Sequence, residues 1–408
     1  MLASQLFWSR WKKHLRALAP AGQAEAVRDK EGRLVTKSLD ILRVWRDYVE
    51  VLGRETPTDG STPFNDDFAR RVTTGEVRGG PGAQQGAPVI PELDKPIEWE
   101  EVHAVFRQLK LGKASGPDGV PAELLLEAGI GAELAFTALY NFLWSHMVWP
   151  EGWTEGILIP LFKGKGSRQL PSNFRLIAIV SVAAKAFEKV LDKRLRAWGE
   201  RVGLLSDLQG GFRERRSTLD QMFILFEAIA LAREQRQALF LTFIDVRKAY
   251  DRVWRTGLWC KLGDKGLPPR LRGMIQRMFE RLLRRVMIQG ELSGAASVEA
   301  GVPQGAVLSP LLYAIYVDGL HDALRSKGLG IWLCGRLVPL LMYADDIVLL
   351  APDADTTRRM HDVVTEYAAN WRFVVNNTKS NLMVIGSRQV RRAASQERWA
   401  MCAARKSP

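Results

Sequence analysis

The chain has 408 residues, 47% of them apolar, and its 58 Lys and Arg exceed its 45 Asp and Glu to leave a net charge of +13. This composition excludes collagen and extensive disorder, and the length allows two or three domains with sizeable cores. Three well-separated cysteines, at positions 260, 334 and 402, exclude a disulfide framework and a zinc site of paired cysteines. The positive excess favours a polyanionic partner, and nucleic acid is the commonest of these.

The N-terminal part is predicted to be a helical connector over residues 1–53. Its first 24 residues contain no acid and place apolar side chains at helical spacing: Trp8, Trp11, Leu15 and Leu18. A docking helix and a transit peptide share this basic amphipathic pattern, and the low Ser content favours docking. A second helical stripe occupies residues 39–52. Residues 54–96 hold six Pro and six Gly, a composition that predicts a flexible linker.

Beyond residue 96 the hydrophobic pattern predicts interspersed helices and strands. Helices are expected, in chain order, at 121–128, 132–147, 181–202, 218–236, 248–262, 269–283, 308–327 and 355–372. Strands are expected at 157–162, 239–244 and within 285–299, with a hairpin at 340–350. A capping box of Thr218 and Gln221 is predicted to open its helix. Because strands and helices do not alternate strictly, the predicted fold class is α+β.

Two acidic motifs carry the strongest chemical signal. Asp245 follows the almost unbroken apolar strand 239–244, where a carboxylate is costly unless a cation or hydrogen bonds compensate. Asp345 and Asp346 interrupt two apolar runs, and turn chemistry does not require them because Ala-Asp-Asp lacks the glycine of a tight hairpin. Three carboxylates brought together repel unless divalent cations neutralise them, and Mg²⁺ suits carboxylate and phosphate oxygens. Such a two-metal site performs in-line phosphoryl displacement in polymerases and nucleases.

Three other features have plainer interpretations. Asp251 is interpreted as a helix N-cap. Residues 270–285 carry six Arg and one Glu, which either follow a nucleic-acid backbone or form a solvated face. The most apolar stretch, 337–350, contains two aspartates and is shorter than the roughly 20 residues needed to span a bilayer, so no membrane span is expected.

The ordered motifs resemble those of the reverse transcriptases of non-LTR (LINE-type) retrotransposons. The blocks that carry the resemblance are, in chain order, 110–125, 159–166 with 173–177, 209–218, 243–251, 301–310, 343–346 and 377–380. The resemblance spans 97–386, with a core at about 143–386, and leaves 387–408 as a basic tail. It implies the fingers and palm of a right-hand polymerase with a helical N-terminal extension.

The resemblance implies an RNA-directed DNA polymerase that extends a primer 3′-hydroxyl on an RNA template with dNTPs. By their positions in the motifs, Asp245 and Asp345 are the implied metal ligands, and Asp346 supports them in catalysis and metal binding. The implied cofactor is a pair of Mg²⁺ ions, for which Mn²⁺ substitutes. The expected partners are an RNA template, a DNA primer and dNTPs. The protein is expected in the cytoplasm and nucleus, and it is not expected to be secreted.

The resemblance also implies five nucleotide-binding residues. Lys163 and Arg175 match the residues that grip the triphosphate, and arginine binds phosphate bidentately. Tyr250 matches the ring that discriminates against a ribose 2′-hydroxyl. Gln304 matches a loop beside the incoming nucleotide, where glycines let the backbone approach substrate closely. Lys379 is either a proton donor to departing pyrophosphate or a solvated lysine.

Two alternatives to this function stay open. One is a truncated, catalytically inactive relic of a retroelement that binds RNA through its +13 charge. The other is a group II intron-type reverse transcriptase, although the connector and the Gly-Pro-Asp-Gly sequence at 116–119 favour the LINE type. Upstream endonuclease and downstream thumb are both expected to be missing from a chain of this length.

Overall fold

The computed structural model describes residues 26–55, 64–77 and 89–386. The predicted N-terminal amphipathic helix, parts of the predicted linker, Cys402 and the basic tail lie outside these residues. Within the described ranges, every helix is too short or too polar to cross a membrane.

Helices account for most of the regular structure in the described residues. They are α1 (Ser38–Leu52), α2 (Asp66–Thr73), α3 (Pro91–Asp94), α4 (Trp99–Phe106), α5 (Ala122–Glu127), α6 (Gly129–His146), α7 (Glu151–Thr154), α8 (Val182–Val202), α9 (Thr218–Glu234), α10 (Arg255–Asp264), α11 (Pro269–Phe279), α12 (Ser309–Ser326) and α13 (Ala354–Asn370). Most of the predicted helices are confirmed within a few residues at each end.

The predicted helix 248–262 begins seven residues later than expected, at Arg255. Residues 247–252 form a turn instead, because Lys248 has a φ of +51° in the left-handed region that ends regular helix. The N-cap of α10 is Trp254. The interpretation of Asp251 as a helix cap is therefore wrong.

Two other predicted helix boundaries also differ. The helix predicted over 269–283 ends at Phe279, and a strand begins three residues later because Arg281 has a φ of +50°. The capping box of α9 is formed by Ser217 and Asp220, one residue before the predicted pair. Both differences arise from local backbone geometry that hydrophobic spacing does not report.

Helix α2 lies inside the segment 54–96 that composition predicts to be a flexible linker. The Asn65 side chain accepts the backbone N–H of Phe68 at 3.0 Å and caps the helix, whose Ala69 and Val72 are buried. Asn65 also donates through Nδ2 to Asn370 Oδ1 at 2.9 Å, which ties α2 to the end of α13. The prediction is wrong for α2 because the Pro and Gly residues flank this stretch without entering it.

The strands form two principal sheets and two short hairpins. They are β1 (Val27–Arg28), β2 (Leu34–Val35), β3 (Glu155–Phe162), β4 (Phe174–Ile179), β5 (Leu239–Ile244), β6 (Leu282–Ile288), β7 (Glu291–Leu292), β8 (Ala296–Val298), β9 (Ile331–Leu333), β10 (Arg336–Val338), β11 (Leu340–Tyr343), β12 (Asp346–Ala351) and β13 (Asn381–Ile385). One sheet has the order β11-β12-β5-β13, and the other has the order β4-β3-β6-β7 with β8 also paired to β6. Only β3 and β6 pair in parallel among the described strands, so the α+β prediction is confirmed.

Strand β5 is buried on both faces of the four-stranded sheet, as its apolar run predicts. Leu239 and Leu241 belong to the cluster beneath α9, whereas Phe240 belongs to the core that contains α12 and α13. This alternation follows from the period of two along a strand. The sheet therefore lies between two helical layers, and the site described below lies at one of its ends.

Helix α1 packs on the five-stranded sheet. Trp45 is fully buried and meets Phe174 of β4 edge to face, with ring centroids 5.2 Å apart. Past the helix end, the Gly53 carbonyl accepts the N–H groups of Glu299 at 2.8 Å and Ala300 at 2.9 Å. The second helical stripe predicted in the connector is thus an integral part of this core.

A buried lysine joins the helices behind the four-stranded sheet. Lys261 of α10 is 7% exposed and donates hydrogen bonds to the Tyr316 carbonyl of α12 and the Tyr367 hydroxyl of α13. Its Nζ lies 4.1 Å from the Trp371 ring centroid. Burial lowers the pKa of Lys261 to about 7.

We expect the free energy of unfolding to rise between pH 7 and 10 because of Lys261. The unfolded lysine, with its ordinary pKa of 10.5, keeps its proton over this range while the folded one loses it, so rising pH favours the folded state. The expected increase in the free energy of unfolding is up to roughly 4 kcal/mol, since one pKa unit corresponds to about 1.4 kcal/mol. This increase should be absent in Lys261→Met. Urea unfolding at several pH values measures it, with the exposed Lys327→Met as control. Identical pH slopes for Lys261→Met and the unsubstituted chain would contradict the prediction.

Candidate active site

The three predicted catalytic aspartates lie at the same end of the four-stranded sheet. Ile244 of β5 pairs with Ile347 of β12, so Asp245 comes level with Asp346, the first residue of β12. Tyr343 pairs with Asp346, which leaves Asp345 in the two-residue turn between β11 and β12. The predicted hairpin is confirmed, and antiparallel pairing with β5 brings its turn to Asp245.

The aspartates influence one another electrostatically. Burial raises the pKa of Asp345, the negative charges of Asp346 and Asp245 raise it further, and the positive charge of Arg175 opposes them. Like charges at short range have this effect. The repulsion that the sequence predicts is therefore present at this end of the sheet.

The carboxylate oxygens of this cluster match the ligands that Mg²⁺ prefers, but the described residues do not form a complete metal-binding site. Within the described part of the chain, no three His, Cys, Asp or Glu side chains are grouped so that they could hold a metal ion. Mg²⁺ is commonly bound by one or two carboxylates, with waters and substrate phosphates completing its octahedron. The negative charges of Asp346 and Asp245 both raise the pKa of Asp345, so the three carboxylates lie in the same part of the molecule.

Two residues to which the sequence motifs assigned no role hold Asp245 in place. Asn376 donates through Nδ2 to Asp245 Oδ2 at 2.8 Å, and its backbone N–H donates to the Asp245 carbonyl at 2.8 Å. The Asp245 N–H donates to Ser380 Oγ at 3.2 Å. Ser380 ends the last motif, and Asn376 directly precedes it, so the motif itself was the available signal.

Gln209 supports the turn that carries Asp345. Ala344 has a φ of +61°, a conformation that residues other than glycine rarely adopt. The fully buried Gln209 accepts the N–H groups of Ala344 at 3.1 Å and Gly211 at 2.9 Å through Oε1. These contacts explain how a hairpin without glycine forms here. The sequence motif 209–218 contained Gln209 but suggested no role for it.

Gly211 packs directly against the same turn. A Cβ atom built on Gly211 would lie 2.1 Å from the backbone nitrogen of Ala344, far closer than any allowed contact. Only glycine therefore lets this segment approach the Asp345 turn so closely. The backbone of the 209–218 motif thus determines the position of the 343–346 motif.

Tyr250 lies beside Asp345 and is half-buried. Its ring stacks on Tyr313 at a centroid distance of 5.0 Å and meets Phe212 edge-on at 6.3 Å. Burial raises the pKa of Tyr250, and the charge of Asp345 raises it further. The structure therefore brings the predicted ring next to a predicted catalytic carboxylate.

The loop that carries Gln304 is wedged between the turn after β5 and strand β4. A Cβ on Gly301 would lie 2.6 Å from the Asp251 carbonyl oxygen, and one on Gly305 would lie 2.7 Å from that of Ala178. The Gln304 carbonyl accepts the Ala178 N–H at 2.8 Å. These glycines therefore approach protein backbone, whereas the sequence motif suggested an approach to substrate.

The predicted phosphate-binding cations form one group. Lys163 follows β3, and its Nζ donates to the Ser172 carbonyl at 2.8 Å. Burial lowers the pKa of Lys163, the charge of Asp251 raises it, and the charges of Lys379 and Arg175 lower it further. Lys163, Arg175 and Lys379 are all exposed and therefore accessible to an anion. The charge of Arg175 also lowers the pKa of Asp345, so at least this member of the basic group lies near the aspartates.

Asp251 is an additional acid near the phosphate-binding group. Burial raises the pKa of Asp251 to about 6, while the charges of Lys248 and Lys163 lower it. The sequence had suggested only a structural role for it, as a helix N-cap. Its backbone carbonyl lies against Gly301 in the Gln304 loop, and its charge raises the pKa of Lys163.

The arginine-rich stretch 270–285 does not form one exposed basic face. Arg272 and Arg284 are 5% and 4% exposed. Arg284 donates through Nη1 to the Thr154 carbonyl at 2.7 Å, inside the core. Neither interpretation of the sequence therefore applies to these two arginines.

Comparison with known proteins identifies the class that this fold and acidic cluster represent. The sequence profile of the reverse transcriptase (RNA-dependent DNA polymerase) family matches residues 163–399, more than half of the chain. The chain belongs to this family. The match includes every predicted site residue from Lys163 to Lys379.

The relatives are proteins of mobile elements. The chain is 30% identical over 298 residues to "Probable RNA-directed DNA polymerase from transposon BS" of Drosophila melanogaster, covering 70% of this chain and 32% of the relative. It is 30% identical over 300 residues to the corresponding protein of transposon X-element of the same species, covering 71% and 32%. A Pol polyprotein of retrotransposable element R2 of Popillia japonica is 28% identical over 261 residues, covering 63% and 35%. The resemblance to non-LTR reverse transcriptases is confirmed, and the chain spans about a third of each relative's length.

Proposed function

We propose that this chain is the polymerase core of a non-LTR retrotransposon reverse transcriptase and adds dNTPs to a primer 3′-hydroxyl on an RNA template. One observation carries the proposal: Asp245, Asp345 and Asp346 meet at one end of a sheet, where the charge of the exposed Arg175 acts on Asp345. Such a pairing of carboxylates with arginine suits a substrate that brings both a triphosphate and metal ions.

In this proposal residues 97–386 form the polymerase domain. The sheet β11-β12-β5-β13, with the helices on its two faces, is the palm, and the sheet containing β3 and β4 belongs to the fingers. Helix α1 then extends the fingers on the N-terminal side, since it packs on their sheet. The fingers would bring Lys163 and Arg175 to the palm carboxylates.

Each site residue then has a physical task. Asp245 and Asp345 would hold two Mg²⁺ ions with help from Asp346, and Asn376 would orient Asp245 through its 2.8 Å hydrogen bond. When bound, the two ions would neutralise the reacting phosphate and acidify the primer hydroxyl. Mn²⁺ shares the preference for oxygen ligands and would substitute.

The remaining residues would bind the nucleotide. Arg175 would hold phosphate oxygens bidentately, and Lys163 and Lys379 would add point charges. Lys379 would also donate a proton to the departing pyrophosphate. Tyr250 would limit the space beside the sugar, with its ring kept in place by Tyr313.

Primer extension tests the proposal. The purified full chain, given a DNA primer annealed to an RNA template, dNTPs and Mg²⁺ or Mn²⁺, should lengthen the primer. Absence of extension with both ions, together with salt-dependent RNA binding, would instead support the inactive relic that binds RNA through its net charge of +13.

Tyr250→Val should admit ribonucleotides. Removing the ring opens space beside Asp345, so we expect the rNTP to dNTP incorporation ratio to rise by at least about tenfold, the scale on which pocket size discriminates. Single-nucleotide extension measures the ratio. Tyr250→Phe keeps the ring and should keep the original ratio, and equal ratios for Tyr250→Val and the unsubstituted chain would rule out the gate.

A further inference from the structure

Helix α9 exposes an apolar stripe on the side that faces away from the sheet. Leu219 is 71% exposed, Met222 46%, Phe223 65% and Phe226 60%. Their spacing of three and four residues puts them on one face of the helix. Scattered exposed apolar residues are ordinary, but a contiguous stripe with two phenylalanines marks an interaction surface.

The uncovered apolar surface continues onto the neighbouring sheet. Met383 of β13 pairs with Leu241 and therefore points to the α9 side of the sheet, yet it is 49% exposed. Phe243 lies two residues after Leu241 on the same side and is 36% exposed. The exposed apolar side chains of α9 are thus accompanied by two more on the neighbouring sheet.

The chain leaves the described structure beside this surface. Ile385, the last residue of β13, packs in the same cluster as Ala228 and Ala232 on the inner side of α9. An extended residue spans about 3.3 Å and a helix is about 10 Å thick, so a few residues past Gly386 suffice to reach the outer side of α9. The N-terminal segment instead joins at Val27, in the separate cluster that contains Trp45.

Charge complements this proximity. Helix α9 carries Asp220, Glu227 and Glu234 against a single Arg233, a net charge of −2. Residues 387–408 carry six Lys or Arg against one Glu, a net charge of +5, together with Val390, Trp399 and Met401. Opposite charges around an apolar centre favour association and set its register.

We infer that residues 387–408 dock on the apolar stripe of α9. The occupant is this chain's own basic tail, which covers Met222, Phe223 and Phe226 and extends the palm layer beyond β13. The surface is distinct from the aspartate cluster, so the inference does not rest on the proposed polymerase activity.

Limited trypsin digestion of the full chain tests the docking. The tail contains Arg391 and Arg392, which docking should protect from cleavage. We expect the double substitution Phe223→Ser with Phe226→Ser to speed cleavage there by about tenfold, because cleavage follows the undocked fraction. The matched control is Leu124→Ser with Leu134→Ser, which alters residues 57% and 53% exposed on other helices. Thermal unfolding of the folded core should be unchanged for both, since none of the four side chains is buried in that core.

The digestion also separates the possible occupants. Equal tail cleavage in the stripe variant, the control and the unsubstituted chain would overturn the inference. Faster cleavage within the first 16 residues, without a change in the tail, would assign the stripe to the N-terminal segment and also overturn it.

A disulfide cross-link distinguishes the chain's own tail from that of a second copy. With Cys334→Ser removing an exposed thiol, Phe223→Cys should form an intramolecular disulfide with Cys402 under mild oxidation, since bonding requires Cα atoms within about 7 Å. Leu124→Cys is the control and should remain unbonded. A product of dimer size would mean that a second copy covers the stripe, and would overturn the inference.

Discussion

Asp345→Asn is expected to abolish primer extension, with a loss of at least about a thousandfold, or roughly 4 kcal/mol of transition-state stabilisation. The substitution keeps the shape of the side chain in the β11–β12 turn but removes the charge that the proposed Mg²⁺ ions require. The free energy of unfolding should not fall, because the negative charges of Asp346 and Asp245 repel the carboxylate of Asp345 and asparagine removes this repulsion. Loss of activity without loss of stability separates a chemical role from a structural one.

The measurement compares single-nucleotide incorporation and urea unfolding of each variant. Asp362→Asn is the matched control, an exposed carboxylate on α13 that should leave both quantities unchanged. If Asp345→Asn retained more than about a tenth of the activity, less than about 1.4 kcal/mol of stabilisation would be assigned to its charge, and the proposed role would be wrong.

Gly211→Ala is expected to destabilise the protein by about 2 to 3 kcal/mol, the usual cost of overpacking a filled site, and to reduce primer extension by at least about tenfold. The added methyl would lie 2.1 Å from the backbone nitrogen of Ala344, so the turn that carries Asp345 must move. The backbone of Ala344 cannot change rotamer to relieve this contact, as a flexible side chain could.

Gly131→Ala is the control for the loss of glycine itself. Gly131 lies in α6, where an added Cβ would have nothing within 4 Å, and alanine favours a helix by up to about 1 kcal/mol. It should therefore be as stable as the unsubstituted chain or more so. Gly211→Ala with unchanged stability and activity would show that the 209–211 segment does not hold the turn.

Much of the site was predictable because its chemistry is local in the sequence. One carboxylate follows the apolar run 239–244, and two more lie between the apolar runs of 340–350. Charged residues are easily recognised in such apolar surroundings. Antiparallel pairing of these two segments then brings Asp245 level with Asp346, as the structure has it. The same reasoning did not find Asn376, whose role depends on a contact across 131 residues.

Errors occurred where local composition and tertiary context disagree. The Pro and Gly content of 54–96 predicted a linker, but Ala69 and Val72 gain enough burial to fold α2 onto α13. Asp251 was interpreted as a helix cap, but the left-handed Lys248 turns the chain and leaves the acid near Lys163. Neither burial nor a positive φ at a lysine is visible in hydrophobic periodicity.

The amino-acid sequence alone established the α+β class and the family resemblance and selected the three aspartates as candidates, since strand periodicity and charged interruptions of apolar runs are encoded residue by residue. Folding determined what supports them. Gln209 and Gly211 hold a glycine-free turn at a φ of +61°, and the charge of Arg175 on β4 comes to act on Asp345. These contacts join segments more than about a hundred residues apart in the sequence. Such segments come together in space only when the sheets and the helical layers pack into one core.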